Sequence, residues 1–113
     1  MENEFGATVS RTEDGAVVVM TGVVNRGAKE ALESAYEEAV SLPGRVLLDF
    51  GGVDYINSTG IAVIVGVLAI ARAEGRDIGA YGLTDHYREV FNITRLSDFM
   101  TIYDDETTAA AAG

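Results

Sequence analysis

The spacing of apolar positions changes several times along this chain, and each change marks an element. Positions 5–11 and 16–24 are apolar or β-branched runs separated by Thr12-Glu13-Asp14-Gly15, and the Asp-Gly pair predicts a tight turn between two antiparallel strands. Across 26–42 the period lengthens. Ala28, Ala31, Leu32, Ala35, Tyr36, Ala39 and Val40 gather on one side of a helix, with Glu30, Glu33, Glu37 and Glu38 elsewhere. Pro43-Gly44 ends that helix. Positions 45–50, Arg-Val-Leu-Leu-Asp-Phe, form a compact apolar run between Pro43-Gly44 and Gly51-Gly52, the pattern of a central strand covered on both faces.

After a short loop, Asn57-Ser58-Thr59-Gly60 opens a second helix. Short side-chain oxygens there can accept the free amide hydrogens of a first turn, which puts Ser58 at or beside the N-cap. No charged or strongly polar residue interrupts 61–71, yet the run is well short of the about 20 residues that span a bilayer. At helical spacing Ala62, Gly66, Ala69 and Ala73 form one narrow stripe of small residues, while Ile61, Ile64, Val67, Leu68 and Ile70 spread over the rest. A helix apolar nearly all round has to bury one side against a sheet and another against a second element or a partner protein. The pattern leaves open which side meets the sheet.

Gly75 closes this helix, 76–82 predicts another strand, and Thr84 and Asp85 offer a cap to a short helix over 86–92. Tyr87, Val90 and Phe91 share one side of it, with Leu96 and Phe99 expected in a packed connector. A last strand over 100–103 leads into an alanine-rich terminal helix. The alternation predicts a single α/β domain spanning 1–113: a four- to five-stranded central sheet with an opening β-hairpin and βα units, about four helices, and flexible ends at 1–4 and 111–113.

Composition narrows the partners. The 113 residues carry 8 Lys plus Arg against 18 Asp plus Glu, a net charge of -10, which opposes direct binding to nucleic acid or to an anionic membrane. With no cysteine, no signal-peptide pattern and no membrane span, the chain is expected to be cytoplasmic. A lone histidine, His86, makes no metal site, and Lys29, the one lysine, follows no phosphate-cradling glycine loop. No cofactor is expected, and nothing announces an enzyme. His86 has no serine or carboxylate spaced to make it a base.

The stretch Val53-Asp54-Tyr55-Ile56-Asn57-Ser58-Thr59-Gly60-Ile61, following a strand that ends Asp49-Phe50, resembles the strand-to-helix loop of the STAS family. Within that family it is most similar to bacterial anti-sigma factor antagonists. Thr21-Gly22-Val23-Val24 resembles the end of the family's second strand, and the segment 90–99 its apolar stretch before the last strand; the likeness runs over about 5–110. It implies a STAS-like fold and an unphosphorylated form that binds an anti-sigma factor, often a serine kinase, and releases the sigma factor. It also implies a phosphoacceptor at Ser58 and a serine phosphatase that reverses the switch. Asp54, Tyr55, Asn57, Ser58, Thr59, Gly60 and Ile61 become the expected partner-binding residues. One position departs: the family most often has Asp before the serine, and this chain has Asn57.

Simpler roles stand beside these. A serine before an apolar helix is commonly just an N-cap, Thr59 a second cap or loop hydroxyl, and Asp54 a solvated carboxylate. A non-switching scaffold or sensor module, self-associating through the apolar helix, and a small-ligand-binding domain are the alternative functions.

Overall fold

The computed structural model describes residues 4–111; of the ends expected to be flexible, 1–3 and 112–113 lie outside the described residues. Strands β1 (Gly6–Thr12) and β2 (Gly15–Val24) form the predicted hairpin, with Thr12 opposite Gly15 across Glu13-Asp14. Strands β3 (Arg45–Ile56), β4 (Ile78–Tyr81) and β5 (Thr101–Ile102) add in parallel, giving one sheet in the order β1-β2-β3-β4-β5. Helices α1 (Lys29–Val40), α2 (Ser58–Ala73) and α3 (Asp85–Ile93) link the parallel strands. A 3-10 turn, Arg26–Ala28, leads into α1, and the short α4 (Glu106–Ala111) follows β5.

From β2 to β5 the strands step in one direction, so right-handed crossovers place α1, α2 and α3 on the same face. The core agrees. Alternate residues Val18 and Met20, Val46 and Leu48, Ile78 and Ala80 pack with Leu32 and Tyr36 of α1, Ile64 and Leu68 of α2, and Phe91 of α3. The opposite face buries a smaller cluster, Val17, Leu47 and Tyr81 with Ala109 of α4. Arg45 ties that helix down: Nη1 donates to the Ala109 carbonyl oxygen at 2.7 Å and Nη2 to the Tyr103 hydroxyl at 3.0 Å. β3 is central and covered on both faces, as its composition predicts.

β3 is nevertheless longer than expected. The strand predicted to stop at Phe50, before a short loop, continues through Gly51-Gly52 to Ile56. Its ladder with β2 persists by shifting register between Val19 and Thr21 and again between Gly22 and Val23. Gly52 permits the first shift, since a Cβ there would stand only 2.9 Å from the Met20 carbonyl oxygen. These glycines act as bulge points rather than terminators. The extension carries Asp54 and Tyr55 on the strand itself to the end of the sheet where α2 begins.

Candidate functional site

β2 and β3 finish side by side, with Val24 paired to Ile56, and the Asn57 amide donates to the Val24 carbonyl oxygen at 3.2 Å. Asn57 is extended (φ -94°, ψ -178°) and caps α2: its Oδ1 accepts from the Gly60 amide at 2.8 Å. The Thr59 hydroxyl donates to the same Oδ1 at 2.7 Å and accepts from the Arg26 amide at 3.1 Å. One hydrogen-bonded chain therefore runs from the turn before α1, through Thr59 and Asn57, to the first turn of α2.

Gly60 lets the helix start this close to β2, because a Cβ at that position would lie 2.0 Å from the Val24 carbonyl oxygen. From the other side, the Tyr87 hydroxyl of α3 accepts from the Ile56 amide at 2.9 Å. Tyr87 is set in turn by Thr84, whose Oγ1 caps α3 by accepting from the Tyr87 amide at 3.3 Å. The start of α2 is thus fixed from both neighbouring crossovers.

Ser58 is different. It is the first helical residue, it is exposed, and no hydrogen bond among the described residues uses its hydroxyl. The capping role falls to Asn57 and the loop-hydroxyl role to Thr59, leaving Ser58 Oγ at the positive end of the α2 dipole. Asp54 and Tyr55 are exposed beside it, Tyr55 to 55%, and Ile61 is half-buried. Asp54, Tyr55, Asn57, Ser58, Thr59 and Ile61 thus come together at one end of the sheet, while Gly60 lies buried beneath them as a spacer.

The sheet takes Gly60, Ile64, Val67, Leu68 and Ala71 of α2. The small-residue stripe, Ala62, Gly66, Ala69 and Ala73, faces outward with Val65 and Ile70, the last two 42% exposed each. Helical spacing aligns Ser58 with Ile61, Val65, Ala69 and Arg72, so the hydroxyl heads a largely apolar surface. At the far end the Arg72 guanidinium lies 4.9 Å from the Phe99 ring centroid. Phe99, expected in a packed connector, is exposed under that cation instead. His86 is exposed, edge-on to Tyr87 with ring centroids 4.9 Å apart. Among the described residues no cluster of His, Asp and Glu could hold a metal ion, and no helix is long and apolar enough to cross a membrane.

The start of α2, held by this capping network at the rim of a βα sheet, presents the exposed Ser58 hydroxyl. A family model described as Mlab, STAS domain matches residues 7–102, and the chain belongs to the STAS domain family. It is 31% identical over 106 residues, 93% of this chain and 91% of the relative, to a protein of Bordetella bronchiseptica provisionally named anti-sigma factor antagonist BtrV. The fold is similar to the crystal structure of an anti-sigma factor antagonist from Mycobacterium paratuberculosis, with TM-score 0.79, 21% identity and coverage of 96% of this chain and 93% of that one. It is also similar to the phosphorylated form of the Bacillus cell fate determinant SpoIIAA, with TM-score 0.69, 15% identity and coverage of 96% and 100%.

Proposed function

We propose that this protein is an anti-sigma factor antagonist that binds its partner when Ser58 is unmodified and loses it when Ser58 is phosphorylated. The observation that carries this is the Ser58 hydroxyl, exposed at the first turn of α2 and outside the capping network that Asn57 and Thr59 complete. A phosphate there adds about -1.5 to -2 charges at neutral pH. The helix N-terminus favours that charge, so the fold tolerates it. A partner seated on Asp54, Tyr55, Asn57, Ser58, Thr59 and Ile61, with Gly60 beneath them, does not, because it must desolvate the new charge against an apolar rim.

The partner in this scheme is an anti-sigma factor with serine kinase activity, working in the cytoplasm with a serine phosphatase that resets Ser58; the protein itself acts by binding. Incubation with ATP, magnesium and a purified anti-sigma factor of the kinase class, followed by fragment mass spectrometry, is expected to place one phosphate on Ser58. Phosphate found wholly on Thr59, Ser10, Ser41 or Ser97 would overturn the assignment. The outward apolar face of α2 also favours a second reading, self-association as a non-switching scaffold. In that case sedimentation gives a dimer that Val65→Asp dissociates and Ser58 phosphorylation leaves intact.

A further inference from the structure

Positive charge is scarce in this chain, and part of it is gathered at one place. Arg26 and Lys29, the only lysine, stand at one end of a groove of about 570 Å³ between the start of α1 and α2. Its floor is apolar and small, made by Ala62, Val63 and Gly66, and Glu33 lies one turn further along α1. Both cations are exposed. The ion pairs among the described residues, Arg76–Glu74 and Arg88–Asp104, involve neither of them. The rest of the outer side of α1 is acidic, with Glu30, Glu37 and Glu38 exposed. At Gly66 the groove is open, with no atom within 4 Å of where a Cβ would stand.

We propose that this groove docks an acidic segment of a protein partner, its carboxylates at the Arg26 and Lys29 end and an apolar side chain over Gly66. A net charge of -10 repels acidic segments from most of the surface, so two local cations not engaged in ion pairs make this groove the favourable place for one. Glu33 rejects a second carboxylate further along and fixes the direction. That the segment belongs to the anti-sigma factor rests on the function proposed above. The two sites then communicate by charge. Thr59, which lines the groove and accepts from the Arg26 amide, follows Ser58 directly, so a phosphate on Ser58 adds charge of the same sign as the docked carboxylates one residue from the groove.

Two probes test the groove. The first is a capped peptide with a pair of Glu residues and a Leu one helical turn on, compared with its Gln counterpart by titration of the 15N-labelled protein. Amide shifts are expected at Lys29, Thr59, Ala62 and Gly66, with the Gln peptide, or the double variant Arg26→Gln with Lys29→Gln, binding about tenfold more weakly. Equal affinity for both peptides, or shifts centred elsewhere, overturns the proposal. The second probe is the purified anti-sigma factor. Gly66→Leu fills the groove while improving helix propensity, so its Tm should match or exceed the parent's and its affinity fall by about tenfold or more. Parent affinity in Gly66→Leu and in the double variant, with Ser58→Asp still weakened, rejects the groove and leaves the switch standing. Weakening in the groove variants but in neither Ser58→Asp nor the Ser58-phosphorylated protein upholds the groove and rejects the switch.

Discussion

Helices α1 and α2 pack on the same face of the sheet yet treat water in opposite ways. α1 buries Leu32, Ala35, Tyr36 and Ala39 and turns Glu30, Glu37 and Glu38 outward. α2 buries Gly60, Ile64, Val67, Leu68 and Ala71 and turns Ala62, Val65, Gly66, Ala69 and Ile70 outward. The sheet needs one side of each helix and no more. The outer side of α2 carries apolar residues where α1 carries glutamates, and under the proposed function that surface is where a partner sits. Beyond Lys29 and Glu33 at its start, α1 is a structural helix with a solvated, acidic back. α2 has two working sides, one holding the fold and one presenting Ser58 at its head.

The largest test of that division is a pair of truncations at adjacent positions. Ile64 is fully buried, and Ile64→Ala should lower stability by about 2–5 kcal/mol through lost burial and a cavity. Val65→Ala, on the outward side, should change it by about 0.5 kcal/mol or less. Urea unfolding of both variants decides the matter. Equal losses would mean that the outer side is also part of the core, and the contrast with α1 would collapse.

The two helices are also tied directly, and the tie titrates. The Tyr36 hydroxyl of α1 donates to Glu74 Oε1 at the end of α2, at 2.7 Å. Burial first, then this bond and the Glu74 charge, push the Tyr36 hydroxyl from its ordinary 10 up to about 12. A raised folded value means stability that is complete below pH 10 and is lost as the pH climbs toward 12. Tyr81, also raised to about 12 by burial and the neighbouring Asp49 and Glu106, acts in the same window on the α4 face. Alkaline melts of Tyr36→Phe should show a shallower decline than the parent. An unchanged slope would locate the alkaline loss at Tyr81 or elsewhere.

Much of this was legible before any coordinates, and the exceptions have physical causes. Local chemistry spoke plainly: the Asp-Gly turn, the one-sided pattern of α1 and the short polar side chains opening α2 each act within a few residues. The length of β3 is not legible, because a glycine pair is the same signal whether it ends a strand or relieves a bulge against Met20. The orientation of α2 was hidden for a related reason, since apolar residues all round leave no contrast to show which side the sheet takes. Arg26 joined the site through its backbone amide, a contact no side-chain pattern encodes. The sequence marks Ser58 as a helix-start hydroxyl; the function proposed for it came through family likeness.

Charge at the head of α2 should separate binding from folding more sharply than any core change. Ser58→Asp carries less charge than phosphate, and it should weaken binding to the anti-sigma factor by about tenfold or more, at least about 1.4 kcal/mol. Circular dichroism and Tm should stay nearly unchanged, because an acid in the first turn suits the helix dipole. The same acid at Ser34, exposed on the acidic back of α1, should leave binding alone. A loss at Ser34 as large as at Ser58 would erase the distinction between the two helices.

Asn57 gives the smallest and most local effect. Asn57→Ala removes the acceptor of both the Gly60 amide and the Thr59 hydroxyl, and should cost about 1 kcal/mol of stability. Asn57→Asp keeps a capping oxygen and restores the residue the family most often has there, so stability should change by only a few tenths of a kcal/mol, about the difference between two good caps. Its effect should appear in kinetics. Under the proposed function a carboxylate beside Ser58 repels an incoming or resident phosphate, so the rate of phosphorylation by an anti-sigma factor of the kinase class, or of its removal by a serine phosphatase, should differ from the parent. Radiolabel time courses on both proteins, at matched enzyme concentrations, measure this directly. If both rates agree within error while Asn57→Ala melts early, Asn57 is a cap alone and the start of α2 discriminates through Ser58 and its apolar surface rather than through the residue before it.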